Sequence, residues 1–184
     1  MSKGLPDISP GGAIVLGLLL DGHGARSGYD IQKQAAASVA HFWPVTKAHV
    51  YAELPKLEAS GMVTSKAVAQ TKSPNKKLYD VTHNGKAALR EWLANVDLGE
   101  PKLRHPLLLC IFFAADMERS ALIGAIESHQ ARTAATLDRY RQLYGREPAV
   151  DQGQQRGRRL ALLHGVRRLE ADLSWLGDVR AEIS

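Results

Sequence analysis

Residues Phe42–Leu93 read FWPVTKAHVYAELPKLEASGMVTSKAVAQTKSPNKKLYDVTHNGKAALREWL, and this stretch decides the fold. Thr46, following Pro44-Val45, is a good N-cap. Val50, Leu54 and Leu57 recur at i, i+4 and i+7, so one face of the ensuing helix is apolar and seeks a core, with Lys47, His49, Tyr51 and Lys56 off that stripe. Gly61 stops the helix as a C′ residue. Pro55 breaks the rule for a helix interior, where a proline costs about 3 kcal/mol, and predicts a kink or an early change of direction. The period then changes: Val63–Ala69 and Lys77–Val81 are two β-compatible runs around a turn, and Thr82 caps a further helix reaching Trp92-Leu93. Helix, hairpin, helix is the order of a winged helix-turn-helix. Residues 70–77 carry Lys72, Lys76 and Lys77 and no acid, a hairpin tip suited to a phosphate backbone, with Asn75 suited to the turn.

Working outward, Ser9-Pro10 starts a first helix over about Pro10–Leu20, buried by Ile14, Val15, Leu18 and Leu19. Ser27 caps a second, with Asp30 at N3 as a capping-box variant. Tyr29 and Ile31 open its apolar face, and it fades near Ala40. Val96–Pro101 is the best boundary, separating a domain over residues 9–95 from one over 103–184. Beyond it there is no strand signal. Pro106–Ala115 predicts a short buried helix, after which Asp116 ends one helix and caps the next. A long helix from about Glu118 to Tyr144, about 40 Å at 1.5 Å per residue, carries a coiled-coil-like seam through Leu122, Ile126, His129, Thr133, Leu137, Tyr140 and Tyr144. A last helix aligns Leu160, Leu163, Val166, Leu169, Leu173, Leu176 and Val179. Two such stripes in so thin a unit predict a partner chain, so Leu122, Ile126, Leu137, Tyr140, Leu160, Leu163, Leu169, Leu173 and Leu176 are candidate homodimer contacts. The alternative is a monomeric helical cap. The fold class is thus mainly α with a small β-hairpin.

The 184 residues carry a net charge of +5, which suits a nucleic-acid partner. It divides into +2 over residues 1–100 and +3 over 101–184, so any binding face is local rather than a global basic field. The single cysteine, Cys110, lies in an apolar run; an internal disulfide is excluded, and a reducing cytoplasm fits. The apolar runs Ala13–Leu20 and Leu107–Ala115 are far short of the roughly 20 residues of a membrane span. There is no nucleophile elbow, P-loop, dinucleotide turn or zinc-protease motif, and the seven histidines show no metal spacing. No catalytic residue, metal or cofactor is therefore expected. The three tryptophans, Trp43, Trp92 and Trp175, are read mainly as core.

FWPVTKAHVYAELPKLEASGMV, then the wing, then YDVTHNGKAALREWL resembles the PadR family of bacterial transcriptional regulators, as does LGLLLDGHGARSGYDIQKQ. Residues 103–180 resemble the longer helical C-terminal domain of members related to virulence activators. The resemblance implies a cytoplasmic, nucleoid-associated homodimer that binds a pseudo-palindromic double-stranded operator, usually as a repressor, with release by a small, often aromatic, effector. It places Thr46, Lys47, His49, Val50 and Tyr51 in the recognition helix and Lys72, Ser73, Asn75, Lys76 and Lys77 in the wing. Trp92 and Phe112/Phe113 are candidates for an effector cavity. Here the Asp21–Ser27 turn is longer than the family's, which predicts a displaced start of the second helix, and Pro55 replaces a commonly basic or polar residue. A different class of function, a winged helix that docks on another protein, would call for an apolar patch where the lysines stand.

Overall fold

A computed structural model describes residues 8–21, 24–39, 42–68, 76–97, 99, 104–149 and 153–183. The chain divides into two compact units, Met1–Gly99 and Glu100–Ser184.

In the first unit, Ser9 Oγ accepts the Gly12 N–H at 2.9 Å and launches α1 (Pro10–Asp21). Val15, Leu16, Leu18 and Leu19 are buried along α1, which packs against α2 (Gly28–Ala37), α3 (Lys47–Ala59) and α4 (His83–Asn95). Ser27 starts α2 with a full capping box: its Oγ accepts the Asp30 N–H, and Asp30 accepts the Ser27 N–H. The cap fixes the helix start at Gly28 despite the long preceding turn. Ile31 is fully buried, whereas Tyr29, expected on the same apolar face, is 61% exposed. Residues two apart on a helix point about 200° apart, so the two side chains leave nearly opposite faces.

The helix α3 is continuous through Pro55. It ends at Ser60 and Gly61, and Gly61 adopts the left-handed φ of +69° that glycine takes at little cost. Three antiparallel strands follow the order β1-β3-β2, with β1 Arg26–Ser27, β2 Val63–Val68 and β3 Lys76–Val81. The hairpin was legible in the sequence; β1 was not, since two residues show no alternation. Val63, Tyr79 and, in part, Val81 turn inward onto the core. Thr82 caps α4 and also donates its hydroxyl to the Gly61 carbonyl at 2.7 Å. A Cβ on Gly85 would lie 2.1 Å from the Met62 carbonyl oxygen, so this contact between α4 and the turn requires glycine. Trp43, read as core, is 47% exposed.

The second unit contains α5 (Pro106–Phe112), a 3-10 turn at Ala114–Asp116, α6 (Arg119–Arg146) and α7 (Gly153–Ile183). The two long helices α6 and α7 bury much of their apolar stripes against each other. Leu122, Ile126 and Leu176 form one cluster with Leu107; Leu137, Tyr140, Val166 and Leu169 form another; Leu173 touches both. Ion pairs Glu127–Arg180 at 2.8 Å and Glu170–Arg141 at 2.9 Å join the helices, as does Arg119 Nε donating to the Ile183 carbonyl at 2.8 Å. Antiparallel packing of sequence neighbours requires only the intervening turn. Of the proposed dimer contacts, Leu160 is 53% exposed and Leu163 half-buried. The expected buried helix at Pro106–Ala115 is corrected: it ends at Phe112, and only Leu107 is buried, while Leu109, Phe112 and Phe113 are exposed. Cys110 is half-buried, and Asp116 caps nothing; α6 starts after Glu118 without a side-chain cap. Among the described residues no helix is long and apolar enough to cross a membrane.

Candidate nucleic-acid interface

The N-terminus of α3 is built by a reciprocal cap. Thr46 Oγ1 accepts the His49 N–H at 3.2 Å, and His49 Nδ1 accepts the Thr46 N–H at 3.3 Å. Imidazole thus fills the place usually taken by Glu or Gln. With Nδ1 accepting, the neutral ring carries its hydrogen on Nε2, an assignment that follows from the hydrogen-bond network. The partial positive charge of the helix end favours a phosphate neighbour.

With 3.6 residues per turn, the face opposite Val50, Leu54 and Leu57 carries Ala48, Ala52, Pro55 and Ala59, all exposed. Lys47 and Tyr51 flank this line on one side, with Lys47 Nζ 5.7 Å from the Tyr51 ring centroid. His49 and Lys56 flank it on the other. Short side chains along the crest let a helix seat deeply in a groove, and the longer polar ones at its shoulders reach edges and phosphates. Sequence reasoning missed Ala48 and Ala52, although the same periodicity that finds the buried stripe locates its opposite. Val50 is a correction: placed among the DNA-contacting residues, it is fully buried and serves the core. Tyr51 is 47% exposed, and its inner edge lies on α2, where a Cβ on Gly28 would come within 3.0 Å of the ring.

In the wing, β2 and β3 pair from Val63↔Val81 to Val68↔Lys76. Lys72, Ser73 and Asn75 lie outside the described residues. Lys76 and Lys77 are not bare cations. Lys76 Nζ pairs with Asp30 at 3.1 Å and Lys77 Nζ with Glu58 at 2.7 Å. The Ser27 hydroxyl, and then Lys76, hold the Asp30 carboxyl at about 2, against the carboxylate's ordinary 3.8. Lys77, and then the Ser65 hydroxyl, keep Glu58 below its ordinary value, and Glu58 in turn raises Lys77. Lys66 on β2, opposite Leu78, is an exposed cation that sequence reasoning passed over as part of a strand.

The candidate effector residues sit in different settings. Trp92 packs against the core of the first unit, whereas Phe112 and Phe113 are 81% and 57% exposed in the second and meet edge to face at 4.9 Å. A cluster not singled out from sequence joins His105, His129 and Trp175, with ring centroids 5.1 Å apart for the histidines and 6.1 Å for His105–Trp175. Burial, and then the nearby His105 and Arg132, push His129 below its ordinary value. Among the described residues no group of His, Cys, Asp or Glu could hold a metal ion.

Comparison with known proteins matches both units in order. The model of the transcriptional regulator PadR-like family matches residues 15–91, and that of the virulence activator alpha C-terminal domain matches residues 103–184. The chain belongs to the PadR family of transcriptional regulators. The negative transcriptional regulator PadR of Bacillus subtilis is 27% identical over 174 residues, covering 92% of this chain and 94% of that protein. The crystal structure of B. subtilis PadR in complex with operator DNA superposes with a TM-score of 0.83 at 25% identity, covering 94% of this chain and 98% of that one. Its complex with p-coumaric acid gives a TM-score of 0.77 at 26% identity, with 93% and 96% covered. As a PadR-family member with this winged-helix fold, the chain is a DNA-binding regulator of transcription.

Proposed function

We propose that the protein is a homodimeric repressor that reads a pseudo-palindromic operator with the N-terminal half of α3 and is released by a small aromatic acid. The observation that carries the DNA-reading part is the exposed crest of α3, with Thr46, Lys47, His49 and Tyr51 around an alanine line, on a helix whose opposite face is wholly buried. A helix so presented fits the major groove. Lys47 and the α3 N-terminus serve phosphates, and His49 Nε2 and the Tyr51 hydroxyl serve base edges or sugar. The wing tip, including Lys72, Ser73 and Asn75, tracks the neighbouring backbone. The B. subtilis relative's operator and p-coumaric acid complexes support the operator and the effector class. Exposed Leu109, Phe112 and Phe113 on and beside α5 support self-association.

Fluorescence anisotropy over a salt series, with the DNA upstream of the protein's own coding sequence and a random duplex, tests this reading. The expected result is operator binding about a thousandfold tighter than random binding, weakened by p-coumaric acid with a change in tryptophan emission. Lys47→Ala is expected to lower the salt slope by about 1. Equal, weak binding to both duplexes, followed by failure of genome-wide selection to enrich any fragment, would instead favour a protein-docking role.

A further inference from the structure

Side chains of consecutive strand residues leave opposite faces of the sheet, so Lys76 and Lys77 serve different surfaces. On one face, Lys77 Nζ lies 2.7 Å from Glu58 Oε2, and the other oxygen of Glu58 accepts the Ser65 hydroxyl. Ser65 pairs with Tyr79, and Lys77 with Ala67, so the two donors are diagonal neighbours on that face. One carboxylate near the end of α3 therefore holds both strands of the wing. Lys77 also lies over the buried Tyr79 ring at 5.3 Å, which restricts its alternatives. On the other face, Lys76 reaches Asp30 Oδ2, the same oxygen that accepts the Ser27 N–H at 3.1 Å and the Ser27 hydroxyl at 2.6 Å.

We propose that Lys76 and Lys77 are positioning residues rather than phosphate contacts: each ties the base of the wing to a different helix of the helix-turn-helix, Lys76 to the start of α2 and Lys77 to the end of α3, and together they set the angle between wing and recognition helix. This inference rests on the DNA-reading role proposed above. Exposed ion pairs add little to global stability. A two-stranded hairpin has marginal stability of its own, so the tie acts on where the hairpin points. Operator binding needs wing and helix in register together; binding to random DNA needs mainly charge.

Charge alone and the brace predict opposite signs for one substitution. Glu58→Gln removes a negative charge, which by charge alone tightens every DNA complex, whereas loss of the brace weakens the operator complex. The test compares wild type, Glu58→Gln, Lys77→Gln and the double variant by anisotropy over a salt series, with the operator fragment and a random duplex. Each single change is expected to weaken operator binding about tenfold with the salt slope kept, and the double to weaken it no further than about threefold beyond either single, the non-additivity of partners. Tighter operator binding by Glu58→Gln, with a salt slope lowered by about 1 in Lys77→Gln, is the signature of a phosphate contact and overturns the proposal. Amide hydrogen exchange without DNA is the second readout. Faster exchange confined to β2 and β3 in both single variants supports the brace, and unchanged exchange there overturns it. If wild type fails to prefer the operator while exchange still responds, the DNA-reading role falls and the brace stands as a property of the fold.

Discussion

Gly28 and Gly85 both sit too close to a neighbour for a side chain, but the neighbours differ. A Cβ on Gly28 meets the edge of the Tyr51 ring at 3.0 Å, and that ring is half-exposed and can slide outward. Gly28→Ala is therefore expected to change stability by less than about 1 kcal/mol, the small overpacking cost being offset by alanine's helix preference over glycine, while weakening operator binding about tenfold, or about 1.4 kcal/mol, in the anisotropy assay. On Gly85 the obstacle is the Met62 carbonyl oxygen at 2.1 Å, with Val81 Cγ1 at 2.9 Å. Backbone cannot yield like an exposed ring, so Gly85→Ala is expected to cost about 3 kcal/mol, the upper end for overpacking, read as a lower urea midpoint. The difference was not legible in the sequence: glycine reports that a side chain is missing, not what it would have struck. Val50 teaches a related lesson. Its place in the buried stripe was visible from spacing, and the family's recognition-helix register placed it among contacts; burial decides for the stripe.

At the level of elements, the helix starts were legible because caps are local chemistry. Ser27, Thr46 and Thr82 each bond the N–H three residues on, as their sequence context indicates. The helix α5 was misjudged because an apolar composition says that a surface is oily, not what covers it. The helix α3 continues past Pro55, held on either side by Leu54 and Leu57 in the core. Pro55→Ala restores a backbone donor and is expected to stabilise the first unit by about 1–3 kcal/mol, within the proline penalty, seen as a higher thermal midpoint. In the second unit, His129 is held below its ordinary value of 6.5 by burial first. The folded state thus disfavours the charged ring, and the unfolded chain binds more protons as pH falls below that value. Stability is lost through that window and levels off below the folded value. Thermal unfolding at falling pH should show the decline, and His129→Gln should flatten it.

At the scale of the whole molecule, two units of different design share one chain. Sequence reading places their boundary at Val96–Pro101, part of which lies outside the described residues, and the compact units divide after Gly99. The two helical stripes were also legible: periodicity shows that a face must be covered and is silent on whether the cover comes from the same chain. Within the chain α6 and α7 cover much of both stripes, and exposed apolar side chains remain at Leu160, on α5 and at Phe113 after it. Leu109→Ser with Phe112→Ser is accordingly expected to shift the sedimentation equilibrium toward monomer while leaving the far-ultraviolet circular dichroism unchanged. A dimer that persists undiminished would place the interface elsewhere. The closed α6–α7 hairpin has a further consequence for assembly. With much of both stripes covered within one chain, the proposed self-association would join prefolded bodies rather than complete a fold. Two differently labelled preparations should then trade subunits in native buffer, and protein diluted until it is monomeric should keep the far-ultraviolet circular dichroism of the helical arm.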